Sequence, residues 1–397
     1  MESDHNLATN RQAAIDAPWP TFAAIWVAVV GVIAYMFLPL MLGGLADDLG
    51  FSNRQLGFIG AAEAAGMGIA NAVAVFWIRR ANWRSIIVWA SLLMVASNLA
   101  SMAITTFPLM FSARLVDGFA GGALIALGVA CQSDNSNADR VFGYFVATEM
   151  LFSSLGFLVL PSLSTAFGVK GVFGALAVIS LTGLAAAIVH PKQGTVSRES
   201  EAGFNLKASA SIVSIVALTG ALLFFMSQGG LWAFVERIAI ASELSARQIG
   251  NALAVSSVFG IIGALGANWI SSRIGELRAF AFVLIGEIIC IVLLYGQLGI
   301  AQYSIAASMF IFFWAMGLPL MLSQFNKLDQ SGQLVVLLYA ATKLGYALGP
   351  ALMGFMVFGN DFSTVLTATC VLCVAGLGIS IWLSSGRLGK TSANANQ

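Results

Sequence analysis

An all-α integral membrane fold, twelve transmembrane helices in two six-helix bundles, is what this sequence predicts. Three observations predict it: a composition too apolar for water, twelve apolar runs of spanning length, and a short motif that recurs half a chain later. The chain has 397 residues, 59% hydrophobic and 9% charged. An ordinary soluble domain carries about 25% charged residues. Mean hydropathy of +0.88 points the same way. The net charge of +1 offers no field for a nucleic-acid partner, and none is expected.

A membrane-spanning helix needs about 20 mostly apolar residues. The runs that qualify are 21–44, 55–78, 85–105, 107–132, 141–165, 171–190, 211–235, 248–271, 279–297, 302–325, 334–358 and 364–385. They predict a tail 1–20, a bundle 21–190, a linker 191–210, a second bundle 211–385 and a tail 386–397. The first twenty residues are polar and mixed, so no cleaved secretory signal is expected. Orientation follows from the loop cations. With both termini inside, the cytoplasmic side holds Arg11, Arg79, Arg80, Arg84, Arg140, Lys192, Arg198, Lys207, Arg273, Arg278, Lys327, Arg387 and Lys390, against Arg54, Lys170, Arg237 and Arg247 outside. Both tails are therefore expected in the cytoplasm. The short loops and tails fit a multi-pass protein of a prokaryotic inner (plasma) membrane.

The recurring motif is "FSNRQLG" at 51–57 and "LSARQIG" at 244–250, with Ser52 and Ser245 193 residues apart. The same offset carries Arg80 onto Arg273. "ATEM" at 147–150 returns as "ATKL" at 341–344. The halves read as parallel repeats, the arrangement in which two six-helix bundles rock about a central site.

With these features the chain resembles the major facilitator superfamily over nearly its whole length. That family has a G-x-x-x-D-R-x-G-R-R/K pattern between spans 2 and 3. Here "VFWIRRANWRS" keeps Arg79, Arg80 and Arg84, and "GANWISSRIGELR" keeps Gly266, Arg273, Gly275 and Arg278. The Asp position is filled in neither copy. "ARLVDGFAGG" supplies the fourth-span Arg114, Gly118, Gly121 and Gly122. The fifth-span G-x-x-x-G-P pattern of the family's drug/proton antiporters is degraded to Gly156, Leu160 and Pro161, and intact only in span 11 as Gly345, Gly349 and Pro350. The resemblance implies gating roles for Arg80, Arg273, Gly275 and Arg278. It also implies that spans 1, 4, 7 and 10 line the cavity and that span 2 packs beside span 11.

A charge at the bilayer centre costs about 2.5–3.5 kcal/mol on insertion scales. This chain places Glu63, Arg114, Asp117, Glu149, Glu287 and Lys343 inside its spans. At about 1.5 Å rise per residue, Glu63, Glu149 and Lys343 fall near the midplane of a core about 30 Å thick. If the chain follows the family's arrangement, Glu63 and Lys343 can pair. Such a pair either holds the halves in register or serves transport. In the transport reading Lys343 binds an anionic group, with Tyr339 and Tyr346 at −4 and +3 on its helical face, and Glu63 or Glu149 carries a proton. Arg114 and Asp117, three apart, can neutralise each other; the resemblance favours Arg114 in coupling or substrate contact and leaves Asp117 a further proton candidate. Tyr35, Gln228, Trp232 and Trp314 are further cavity candidates. Glu287 lies on a helix expected to be peripheral and is read as structural or lipid-shielded.

The four cysteines sit in apolar runs, and His5 and His190 have no company, so no metal, cofactor or catalytic set is expected. No G-x-x-x-x-G-K-[ST] loop appears, so ATP is not the driver. The expected function is secondary transport of a small organic solute, an anion such as a carboxylate, by alternating access and proton-coupled uptake. Proton-antiport efflux of drugs or metabolites is the alternative, and a polytopic membrane enzyme or receptor a third. The expected partners are the substrate, protons and the lipid bilayer, and the expected state a monomer.

Overall fold

The computed structural model describes residues 12–194, 211–328 and 333–385. His5, the loop cations Arg11, Arg198, Lys207, Arg387 and Lys390, most of the linker 191–210 and the tail 386–397 lie outside them. The described residues form helices joined by short turns, in two compact units, Met1–Gly203 and Phe204–Gln397.

In the first unit, span 1 is Pro18–Met36 continued by Leu38–Leu49, followed by Asn53–Trp77, Trp83–Ser101, Phe107–Ser133, Ala138–Phe167 and Val169–Val189 as spans 2 to 6. The second holds Ile212–Ala241, Ala246–Ile274, Glu276–Leu293, Ile300–Leu328, Gln333–Met356 and Ser363–Ser384 as spans 7 to 12. Among the described residues, ten helices are long and apolar enough to cross a membrane by themselves. Glu276–Leu293 packs on spans 10 and 12, and Gln333–Met356 on span 7.

Span 1 departs from its predicted run. It is broken at Phe37, where φ is −93° and ψ 14°. Pro39 follows in the first turn of the second piece. Proline has no N–H to give to the carbonyl four residues back, so the ladder is interrupted there.

The repeated motif has a local cause. Ser52 caps span 2 and Gln55 answers it: the Gln55 amide donates to Ser52 Oγ (3.4 Å), and the Ser52 amide donates to Gln55 Oε1 (2.9 Å). Ser245 and Gln248 repeat both bonds at span 8. Each reciprocal box satisfies helix-end donors that would otherwise lack partners.

Packing follows the repeat. Span 2 lies on span 4, span 3 on spans 4 and 6, and span 1 on span 6; in the second unit 8 lies on 10, 9 on 10 and 12, and 7 on 12. One relation differs. Span 1 lies along span 4, whereas span 7 lies along span 11 and barely meets span 10. Small residues decide this, because helices in lipid associate mainly by close packing. Gly31 and Gly121 bring the backbones of spans 1 and 4 together. At the offset of 193 the residue matching Gly121 is Trp314. Gly345 and Gly349 instead seat span 11 on Leu222, Met226 and Gly230 of span 7.

A methyl group at Gly349 would meet the Met226 carbonyl and the Gly230 amide. Overpacking of this kind costs about 1–3 kcal/mol. Gly349→Ala is expected to lower the melting temperature in detergent, whereas Gly378→Ala, with nothing within 4 Å, leaves it unchanged or raises it. Equal melting of the two variants would rule out the close span 7–span 11 contact.

Candidate functional site

In the first unit the candidate residues gather around Arg114. Gly118 lies on the Glu63 backbone and Gly122 on Met67, so spans 2 and 4 run close and Glu63 is carried to Arg114. Arg114 and Asp117 are fully buried and Glu63 is 1% exposed. Arg114 Nη1 stands 3.7 Å from Glu63 Oε2 and 3.5 Å from Asp117 Oδ2. It donates to Asn98 Oδ1 at 3.2 Å, and Nη2 donates to Ser97 Oγ at 3.2 Å and Ser101 Oγ at 2.9 Å. Asn98 Nδ2 in turn donates to Asp117 Oδ1 at 2.7 Å. The Phe173 ring covers the guanidinium at 5.0 Å.

Within its unit, then, Glu63 meets Arg114. Two carboxylates face one cation, so full ionisation leaves one negative charge uncompensated, and a single shared proton restores neutrality. Ser97, Asn98 and Ser101 were not singled out by the sequence analysis. The signal was there: "SNLAS" puts them on one face of an apolar helix.

In the second unit four candidates converge. Lys343 Nζ lies 5.8 Å from the centre of the Tyr346 ring. Trp314 Nε1 donates to Tyr346 Oη at 2.8 Å. Trp232 packs on Trp314 at 5.7 Å between ring centres. Phe310 and Phe225 extend the cluster, at 5.6 Å from Trp314 and 5.3 Å from Tyr346. Neither phenylalanine was a candidate, because a Phe in an apolar run carries no distinguishing signal. Gln228 is fully buried between Phe225 and Trp232 on span 7. Tyr339 does not join the cluster and is 46% exposed. The cluster sets a cation beside a group of aromatic rings.

Tyr35 and Glu149 are buried in the first unit. Of the gating candidates, Arg80 and Arg278 are exposed, and Arg273 lies over the Trp269 ring at 4.9 Å. Gly275 turns the chain between spans 8 and 9 at φ +86°, a conformation that favours glycine. The ion pairs at these span ends use other residues: Arg79 with Asp134 at 2.6 Å, and Lys327 with Glu276. All four cysteines are free, and no group of three His, Cys, Asp or Glu among the described residues could hold a metal. His190, just beyond span 6, has its pKa pushed down to about 4 by burial.

Removing one partner of a buried ion pair costs about 3–5 kcal/mol, because a charge is left behind. Arg114→Leu is therefore expected to lower melting sharply or prevent folding. Glu63→Gln, which removes the excess carboxylate and keeps its shape, should melt close to wild type. Tolerance of Arg114→Leu would show that the cluster is not charged.

Comparison with known proteins adds three findings. A family model described as Major Facilitator Superfamily matches residues 23–328. A crystal structure of a variant of the nucleoside transporter NupG matches with a TM-score of 0.74 at 10% identity, covering 92% of this chain and 99% of its own. A bacterial homologue of the human lysosomal transporter Spinster, inward-facing and unoccupied, matches with a TM-score of 0.67 at 11% identity, covering 93% of this chain and 96% of its own. No curated protein matches the sequence.

Proposed function

The chain belongs to the Major Facilitator Superfamily, and from that premise we propose that this transporter carries a small organic anion, of the aromatic carboxylate kind, by proton-coupled uptake. The observation that carries the proposal is the Lys343–Tyr346–Trp314–Trp232 cluster. A half-buried cation beside rings pairs with a carboxylate, and the rings stack the planar body attached to it. One neighbour is a nucleoside transporter; aromatic walls would stack a base as readily, and Lys343 is the reason to favour an anion.

Coupling is assigned to Glu63 and Asp117, which share Arg114, with Glu149 as a further proton carrier and Tyr35 and Tyr339 as outlying substrate contacts. Alternating access moves the site between the two faces of the membrane. Arg80, Arg273, Gly275 and Arg278 shape the cytoplasmic ends that open and close. The protein is placed as a monomer in the inner (plasma) membrane with both termini in the cytoplasm. The degraded fifth-span pattern weighs against drug efflux.

Melting of the purified protein in detergent would be measured against carboxylates, organic cations and neutral solutes, with wild type, Lys343→Gln and Trp314→Ala in parallel. A ligand at a hundred times its Kd adds about 2.7 kcal/mol to the folded state. Aromatic carboxylates are expected to raise the melting point of wild type and of neither variant. Stabilisation by lipophilic cations, equal in wild type and Lys343→Gln, would replace anion uptake with efflux. In proteoliposomes, uptake of the stabilising anion is expected to follow an inward proton gradient. Glu63→Gln, which leaves Arg114 its Asp117 counter-charge, should remove that dependence.

A further inference from the structure

Glu287 is a buried carboxylate that the proposed function does not use. It is fully buried on span 9, and none of the ion pairs among the described residues includes it. Cys290 Sγ donates to its Oε2 at 3.6 Å, and the Cys373 thiol of span 12 lies close by. From span 7 the Gln228 carboxamide approaches it, and Gln228 Nε2 donates to Ser227 Oγ at 3.2 Å. Span 10 contributes the Phe313 ring, against Gly286. The titratable groups facing Glu287 are thus two thiols, and no cation is among them.

Two oxygens here lack hydrogen-bond partners: Glu287 Oε1 and Gln228 Oε1. An unpaired buried carboxylate costs several kcal/mol after relaxation. Two buried acceptors without a donor add the cost of their lost hydration. One proton removes the uncompensated charge, and the neutral carboxyl brings an O–H donor to a place where buried acceptors lack one.

Gln228 leads onward. Phe225, Gln228 and Trp232 are spaced along one face of span 7, and the outer two are walls of the aromatic site. We infer that Glu287 is a proton-binding site of the second unit, linked to the aromatic anion site through the Gln228 carboxamide. The step balances as one proton taken up by the carboxylate and one released from the carboxylic acid, with no other group changed. The link to transport rests on the anion-site reading; the proton site itself does not.

N,N′-dicyclohexylcarbodiimide, which adds to protonated carboxyls in apolar surroundings, tests this on the full chain in lipid nanodiscs. Peptide mass spectrometry reads the labelled fraction of Glu287 from acid to alkaline medium. The fraction is expected to fall about tenfold per pH unit above its midpoint, and Gln228→Leu is expected to move the midpoint. No labelling at any pH, or equal labelling at every pH, overturns the inference. Melting provides a second readout: wild type should lose stability relative to Glu287→Gln as the medium turns alkaline, and parallel curves would overturn it equally. The labelling needs no substrate. It can therefore fail while Lys343→Gln still abolishes the carboxylate response, or succeed while that response is absent.

Discussion

A guanidinium enclosed by helices in a lipid bilayer must receive every partner from those helices, because hydrocarbon supplies none. Arg114 imposes this on the first unit. Span 3 answers with Ser97, Asn98 and Ser101 on one face. Span 2 answers with Glu63, which reaches the cation because Gly66, Gly118 and Gly122 remove the side chains that would hold spans 2 and 4 apart. Span 6 lays Phe173 over the charge, and the second piece of span 1 brings Met41 Sδ to 3.9 Å from Nη1. Interhelical packing that looks apolar along each sequence thus converges on one polar centre.

The second repeat keeps the scaffold and discards that centre. At the offset of 193, Glu63, Arg114 and Asp117 fall on Ser256, Ala307 and Phe310. Ser256 Oγ pairs with Ser308 Oγ at 3.3 Å, a neutral contact that needs no counter-charge. Where Gly121 drew spans 1 and 4 together, Trp314 fills the space between spans 7 and 10. Its ring keeps those helices apart and becomes part of the aromatic wall. The polar side chains move to Lys343 on span 11 and to Gln228 and Glu287 on spans 7 and 9. One repeated packing plan therefore supports a buried charge centre in one unit and an aromatic cluster in the other.

Much of this was legible in the sequence, for a physical reason. Spans announce themselves by hydropathy, and the repeat by two capping segments whose Ser-x-x-Gln spacing is the reciprocal bond itself. Lys343, Tyr346, Trp232 and Trp314 stood out because charge and large aromatics are conspicuous against an apolar background. The break at Phe37 was missed because hydropathy is blind to the hydrogen bond that Pro39 cannot make. The polar face of Ser97, Asn98 and Ser101 is legible in span 3, but that it meets Arg114 depends on how span 4 packs against it. Glu287 was read as peripheral; burial among spans 7, 9, 10 and 12 is a property of the bundle, not of its own helix.

The ion pairs at the ends of spans 2 and 8 show which features a duplication must preserve. In the first unit the base, Arg79, follows span 2 and the acid, Asp134, follows span 4. In the second unit the acid, Glu276, opens span 9 and the base, Lys327, ends span 10, with Asp134 and Lys327 matching at the offset of 193. The signs are exchanged. Exposed pairs contribute about 0–1 kcal/mol, so stability alone places little constraint on their direction. What does not change is exposure. The acids are shielded, with side chains 6% and 14% exposed, and the bases face outward at 39% and 64%. Each unit presents a cation at this end whichever loop supplies it. Membrane orientation responds to Lys and Arg near span ends far more than to Asp and Glu. An exchange that keeps the bases on the same side of the membrane leaves the topological signal intact while freeing each pair to evolve its own sign.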